Sequence, residues 1–358
     1  MREPTHIIDP EGDAIIVLSN ANAPFAQFEC DLFHQKVEGN DMKKSRNAPS
    51  PSHVPEPVEV PVKVPTEASV EAELASRFAD DASFRIQVSA KHLILASLVF
   101  KKILTGGWKE SAAYQQKGFV EIKAESWDID ALMILLRAVH GQLYDIPHKL
   151  TLEMLAKVAV LADYYDCRQT LFVYKDIWIE ALEEPVPPNY SQALVLWIWV
   201  AWFFQLPAQF KEATSNAMTR SHGFISNLRL PIPANVMDPM NDSRQRSIGA
   251  MINQFHDTLG ALLSGSQGCC WECSSIMYGA LSKNLALHDL LSPKPEAPFP
   301  GQSYEDLIVK VLFLPSPCWT SQPRRKKRHS CSFSSFNSLF GAPPGVIEGL
   351  DLHTLIPH

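Results

Sequence analysis

Three cysteines in the second half of the chain have a residue type and a spacing that could bind a metal. They are Cys269, Cys270 and Cys273, and Cys270-x-x-Cys273 has the spacing of half a zinc site. His256 and His288 could supply nitrogen ligands, but a structural zinc site usually shows a second close-spaced pair of ligands. The sequence therefore favours three small, soft side chains at the start of a helix, with no metal and no cofactor.

Catalytic chemistry receives no support from the remaining motifs. His92 lies among apolar neighbours and His140 comes at the end of a predicted helix, so both histidines are interpreted as structural. The sequence contains no nucleophile elbow, phosphate-binding loop, dinucleotide fingerprint or His-Glu-x-x-His helix. We therefore predict no catalytic residue and a protein that is not an enzyme.

A run of five basic residues near the C-terminus is typical of a nuclear import signal that an import receptor reads. The alternative is a solubilising charge cluster on a disordered tail. Because the net charge is −7 and no DNA-reading motif accompanies the run, we do not expect direct nucleic-acid binding. The expected location is the nucleus, the cytoplasm or both. The run consists of Arg324, Arg325, Lys326, Lys327 and Arg328.

The composition indicates a folded protein without a membrane segment. Of the 358 residues 46% are hydrophobic and 20% are charged, as in globular domains. The apolar run from Ala193 to Phe204 is shorter than the ~20 residues of a membrane span. We interpret it as a buried helix, with an aromatic partner groove as the alternative. Seven cysteines without disulfide-scaffold spacing, and a start that lacks the secretory pattern, favour a reducing compartment.

The hydrophobic periodicity predicts which elements must carry these residues. In the first half, it predicts strands at 13–19, 84–89 and 118–124. It also predicts one helix from Ser89, placed to cap it, to Gly106, and further helices at 129–140, 150–165 and 171–181. In the second half, it predicts helices at 191–205, 208–220, 244–263, 273–291 and 303–313.

The 27 prolines divide the chain into segments. The predicted division is an N-terminal part of the first domain at 1–34, a Pro-rich disordered insertion at 35–78, the main part of that domain at 79–184, an α-helical domain at 185–318, and a basic tail with a C-terminal segment at 319–358. The predicted fold class is α+β: a small sheet capped by helices, followed by the helical domain and a partly disordered tail.

The order of these elements resembles a BTB/POZ domain of the fungal type. The resemblance rests on Gly12-Asp13 before the first strand, the strand 84–88, the helix with His92 and Phe100, and the His140-Gly141 helix end. It also includes Pro147 and the run from Leu155 to Trp178, so that it covers roughly residues 9–184 apart from the insertion.

The resemblance implies a protein-interaction module that serves as an adaptor or scaffold through protein partners. Many such domains homodimerise, so a homodimer is a possible partner state. Dimeric members usually carry a helix before the first strand, and the few residues before Asp13 include Pro4 and Pro10. A strand-exchanged dimer of that kind is therefore not expected here. A dimer with a smaller interface is the alternative.

Two narrower functions follow from the same resemblance. Some family members bind a cullin through a hydrophobic-x-Glu motif after the helix that corresponds to 92–104, and this chain has Trp108-Lys109-Glu110 there. This predicts Trp108 and Glu110 as candidate cullin-binding residues of a ubiquitin ligase adaptor. The alternative interpretation has Trp108 packed on its own domain and Glu110 solvated. The basic run points instead to a nuclear, transcription-associated regulator.

Overall fold

The computed structural model describes residues 3–28, 83–320, 329–341 and 344–356. The chain forms two compact units, Met1–Glu183 and Glu184–His358. The predicted Pro-rich insertion and the basic run Arg324–Arg328 lie outside the described residues. No helix in the described part of the chain is long and apolar enough to cross a membrane.

The first unit contains a mixed four-stranded sheet in the order β1-β3-β2-β4. Strand β2 pairs antiparallel with β3 and parallel with β4, whereas β1 pairs parallel with β3. Side chains alternate between buried and exposed along β4, so that one face of the strand packs against the core. The strands are β1 His6–Ile7, β2 Ala14–Ser19, β3 Phe84–Val88 and β4 Val120–Glu125.

Seven helices accompany this sheet in the described residues of the first unit, so the fold class is α+β. They are α1 Ala90–Ala96, α2 Leu98–Thr105, α3 Lys109–Lys117, α4 Ile129–Val139, α5 Leu152–Tyr164, α6 Arg168–Leu171 and α7 Lys175–Glu180. Short 3-10 turns at Leu143–Asp145 and Phe172–Tyr174 complete the unit.

The single helix predicted between Ser89 and Gly106 is wrong, because Ser97 divides it into α1 and α2. Ser97 has extended backbone angles, and its hydroxyl accepts a hydrogen bond from the N–H of Phe100, which caps α2. The same hydroxyl donates to the buried carbonyl of Tyr165. The periodicity runs through the break unchanged, so the sequence pattern alone does not reveal it. The helix predicted at 171–181 is likewise interrupted by a 3-10 turn.

Helices are the main elements of the second unit in its described residues. Its helices are α8 Gln192–Phe203, α9 Pro207–Arg220, α10 Ala234–Ser264, α11 Trp271–Leu287, α12 Tyr304–Leu312, α13 Phe336–Phe340 and α14 Leu352–Leu355. The last described segment packs on α9, where Thr219 and Thr214 accept hydrogen bonds from the backbone N–H groups of Ile347 and Leu350.

Helix α10 begins ten residues before the predicted start at 244, and two polar residues of this stretch, Asn241 and Arg244, are buried with hydrogen-bond partners. Asn241 accepts from the N–H of Ile225 and donates to the carbonyls of Ile225 and Met237. Arg244, only 1% exposed, donates to the carbonyls of Ser221, Pro298, Phe299 and Gln302. A polar stretch that looks like a helix boundary in the sequence is therefore a hydrogen-bonded part of the core.

Helix α8 lies at the centre of the second unit. The predicted buried helix is confirmed, because every large side chain from Leu194 to Phe204 is at most 9% exposed. The hydroxyl of Ser191 caps the helix by accepting from the N–H of Leu194. The alternative interpretation of this run as an exposed aromatic groove is wrong.

Candidate functional site

Asp13 joins three elements of the first unit and thereby positions α3. One carboxylate oxygen accepts from the N–H of Ala90 at 2.7 Å, and the other accepts from the phenol of Tyr114 in α3 at 2.8 Å. This hydrogen bond to Asp13 raises the pKa of Tyr114. Gly12 is needed beside Asp13 because a Cβ there would lie 2.5 Å from the carbonyl oxygen of Val88. Asp13, not Ser89, therefore supplies the side-chain cap at the start of α1.

Trp108 lies on the surface at the start of α3. It is the N-cap residue of the helix, directly after Gly106-Gly107, and its side chain is 65% exposed. Gly107 has φ +82°, a backbone conformation that glycine adopts without strain, and this lets the chain turn before α3. The alternative interpretation, in which Trp108 packs into its own domain, is wrong.

Glu110 follows in the first turn of α3 and is only half-buried. A carboxylate at this position interacts favourably with the N-terminal end of the helix dipole. Glu110 lines a shallow cavity of about 370 Å³ together with Lys109, Lys117 and Phe119. An exposed indole and a carboxylate thus occur together at the start of α3, and the carboxylate borders an open depression that runs along the helix to Lys117. A large apolar side chain beside a charge is what an interface anchor requires.

A second exposed apolar surface was not predicted from the sequence. Leu95 in α1 is 86% exposed and Leu98 in α2 is 58% exposed. Both line a cavity of about 590 Å³ that also includes Asp163 and Arg168, which form an ion pair of 3.5 Å. The pKa of Asp163 is raised because burial outweighs the attraction of Arg168. The sequence signal was available, since Leu95 follows the buried Leu93 at a spacing that places it on another side of α1.

His140 is structural, as the sequence indicates. Its Nδ1 lies 2.7 Å from the carbonyl oxygen of Leu136, and its Nε2 accepts a hydrogen bond of 3.0 Å from the N–H of Ser89. This arrangement requires the neutral imidazole with its proton on Nδ1. Burial is the main reason why the pKa of His140 is lowered. The histidine therefore fixes the end of α4 to the start of α1.

The second unit brings together a cluster of four potential metal ligands. Their ligand atoms all lie within 4.8 Å of one another. Cys269 Sγ and Cys331 Sγ each lie 3.3 Å from His329 Nε2, and the sulfurs of Cys273 and Cys331 are 3.7 Å apart. The four residues are Cys269, Cys273, His329 and Cys331.

Two of these four residues, His329 and Cys331, were not predicted, and the predicted cysteine pair is wrong. The spacing in the sequence pairs Cys270 with Cys273, whereas the structure groups Cys269 with Cys273. The expected nitrogen donors lie elsewhere: His256 contacts the carbonyl of Leu290 at 2.9 Å, and His288 follows the C-terminal end of α11. The second close-spaced pair does exist as His329-x-Cys331. That spacing was readable in the sequence, but its proximity to α11 was not.

The thiols of the cluster perturb one another. Burial would raise the pKa of Cys331, but hydrogen bonds from the N–H of Phe333 and from its cluster neighbours outweigh burial and lower this pKa to about 7. Cys273 is fully buried in the first turn of α11, and burial raises its pKa. Three thiols and one imidazole are soft donors that suit a zinc ion.

Comparison of the chain with protein-family models and with curated proteins found no match.

Proposed function

We propose that the first unit is a BTB/POZ-like interaction module and that the protein acts through it as a non-enzymatic adaptor or scaffold. The observation that carries the proposal is the 65% exposure of Trp108 beside Glu110 at the start of α3. A large aromatic side chain that is exposed to water at a helix N-terminus contributes much binding free energy when a partner covers it. The apolar surface around Leu95 and Leu98 supports the same class of function.

The narrower proposal is that the partner is a cullin and that the protein is a substrate adaptor of a ubiquitin ligase. It is favoured by the Trp108-Lys109-Glu110 order together with the exposure of the indole. In this role Trp108 would supply apolar contact area, and the carboxylate of Glu110 would fix the register by pairing with a basic or N–H donor of the partner. A homodimer and a nuclear, transcription-associated role remain predictions from the sequence.

The experiment measures binding of the purified full chain to an immobilised cullin N-terminal region. Trp108→Ala combined with Glu110→Ala removes both anchors, and truncating such an anchor costs about 2 kcal/mol, or about thirtyfold in Kd. Tyr144→Ala is the control, since Tyr144 is an even more exposed aromatic residue of the same unit, on the 3-10 turn Leu143–Asp145.

Two results would decide between the general and the narrow proposal. The cullin-adaptor proposal is supported if the wild type and Tyr144→Ala bind the cullin and the double variant does not. If wild-type protein does not bind cullins, affinity purification with mass spectrometry should still recover partners whose capture depends on Trp108 and Glu110. A partner set that is identical for wild type and the double variant would contradict an interaction surface at this end of α3.

A further inference from the structure

We propose that the second unit contains a structural zinc site whose ligands are Cys269, Cys273, His329 and Cys331. Zinc in proteins is bound tetrahedrally by Cys sulfur and His nitrogen, and a site with four protein ligands leaves no position for a substrate. The cluster supplies four such ligands. This inference does not depend on the proposed function, because the cluster lies wholly within the unit Glu184–His358.

The distances between ligand atoms suit this ion. With Zn–S of about 2.3 Å and Zn–N of about 2.0 Å, neighbouring ligand atoms of a tetrahedral site lie about 3.5 to 3.8 Å apart. Three of the six separations within the cluster are 3.3, 3.3 and 3.7 Å, and the other three do not exceed 4.8 Å. Small shifts of the side chains therefore suffice to bring all four atoms to bonding distance. Cys270 stands outside the set, although its sulfur is 3.9 Å from that of Cys269.

The start of α11 holds two of the ligands in place. Cys269 precedes the helix and Cys273 occupies its first turn, where the N–H of Ser274 donates to the carbonyl of Cys270. Gly268 has φ +110°, and a Cβ there would lie 2.9 Å from the Cβ of Ser274. Only glycine allows the chain to pass so close to the helix at this point, and this close approach orients Cys269 towards Cys273.

A different segment holds the other two ligands. The N–H of His329 donates to the carbonyl of Trp319 at 2.8 Å, and the indole of Trp319 stacks on the imidazole with 4.6 Å between ring centroids. Cys331 is fixed by Ser334, whose hydroxyl accepts from the N–H of Cys331 and donates to its carbonyl. Hydrogen bonds and packing around the ligands, which keep them oriented, are usual for zinc sites.

A zinc ion would therefore join two segments that are distant in sequence. It would tie His329 and Cys331 to α11, while the basic run Arg324–Arg328 directly precedes His329 in the sequence. To bind zinc, each of the three thiols gives up its proton to solvent. The imidazole is neutral, with its proton on Nδ1 and none on Nε2. The site would stabilise the second unit because the unfolded chain does not hold these four ligands together.

The first test measures the zinc content of the full chain, purified without chelator under reducing conditions, by elemental analysis. We expect about one zinc ion per chain, with three bound thiolates. Cobalt exchanged into the protein should give the intense visible absorption of a tetrahedral thiolate site. Alkylation followed by mass spectrometry should find Cys269, Cys273 and Cys331 protected and Cys270 reactive, with the protection lost after chelation.

The variants test the ligand set with a control that differs by one position. Cys269→Ser and Cys331→Ser should lose zinc to a competing chelator that the wild type resists, whereas Cys270→Ser should retain it. His329→Ala should lose zinc and His329→Cys should keep it, since a fourth thiolate can replace the imidazole. The His329→Cys variant also separates lost ligation from misfolding, because it restores a ligand at the same position.

Three results would overturn the proposal. The first is wild-type protein with far less than one zinc ion per chain under reducing conditions and no tetrahedral cobalt spectrum. The second is a peptide map of the freshly prepared protein in which Cys273 and Cys331 form a disulfide. The third is loss of zinc in Cys270→Ser together with its retention in Cys269→Ser, which would assign the site to the other cysteine pair.

Discussion

Two tryptophans, one in each unit, lie in opposite environments. Trp108 of the first unit is 65% exposed at the start of α3, whereas Trp199 of the second unit is fully buried in α8. Helix α8 is apolar on every side and must be surrounded, while α3 is polar along most of its length. The helix that carries a tryptophan therefore decides its exposure, and each unit contains both kinds: Trp178 is fully buried in the first unit, and Trp271 is 79% exposed in the second.

Buried polar groups of the two units show two different solutions. The first unit uses half-buried pairs, such as Lys157 with Asp128 at 2.9 Å and with Glu153 at 2.7 Å. The second unit buries Arg244 almost completely and satisfies its guanidinium with backbone carbonyls. Removing an ion pair near the surface costs little free energy of unfolding. Removing a buried charge leaves its carbonyl partners buried without a donor and costs much more.

The largest expected effect tests the contrast between the tryptophans. Trp199→Ala should destabilise the second unit by about 3 to 5 kcal/mol, because it leaves a cavity in the core. Trp108→Ala should change the stability of the first unit by no more than about 0.5 kcal/mol, because the indole is largely in water. Urea unfolding, with hydrogen exchange to assign each transition to its unit, measures both. Equal destabilisation by the two variants would contradict the contrast.

The next effect concerns Arg244. Replacing it with Met keeps much of the volume but leaves the carbonyls of Ser221, Phe299 and Gln302 without their donor, at a cost of about 3 kcal/mol for the unit. Arg244→Lys should recover little of this lost stability. A single ammonium group cannot donate to the several carbonyls that the planar guanidinium reaches at once.

The control for Arg244 is Arg246→Met, a substitution of the same type two residues along α10 at a position that is not buried. It should leave the unfolding midpoint nearly unchanged. A similar loss in both variants would show that the loop carbonyls do not depend on Arg244.

The smallest of these effects is the pH dependence of the first unit's stability, which involves His140. Burial lowers the pKa of His140 below its unfolded value of about 6.5, so the unfolded state binds a proton more readily than the folded state. The stability that depends on neutral His140 is complete above about pH 6.5 and is lost as the pH falls from there towards the folded-state pKa.

His140→Gln should therefore flatten the decline of the first unit's Tm between pH 7.5 and 5.5, at some loss of stability at the higher pH. His92→Gln is the control, since His92 is exposed and its ring lies 5.0 Å from that of His140. An unchanged slope in His140→Gln, or an equally flattened slope in His92→Gln, would contradict this assignment.

Much of the fold was predictable because hydrophobic periodicity reports which faces are buried. The strands at Ala14–Ser19 and Phe84–Val88, and the helices α4, α5, α8 and α9, lie close to their predicted bounds. The errors occurred where a polar side chain acts over a distance. Ser97 breaks a helix by bonding to the carbonyl of Tyr165, and Asn241 and Arg244 continue α10 because remote carbonyls accept from them.

The candidate sites divide in the same way. Trp108 and Glu110 are neighbours in sequence, so their pairing was readable, but the exposure of the indole was not. The metal cluster was not predicted because about sixty residues separate its two halves. Ligand spacing in sequence reveals only pairs that are close along the chain, such as Cys270-x-x-Cys273.

The local chemistry could be read from the amino-acid sequence: which stretches are apolar, roughly where most helices lie, and which residues can act as ligand, anchor or signal. The tertiary fold determines which residues contact one another when they are far apart in sequence. It exposed Trp108, buried Arg244 among carbonyls, and placed His329 and Cys331 against Cys269 and Cys273. The physical reason is that periodicity encodes burial within one element, whereas contacts between elements depend on how the whole chain packs.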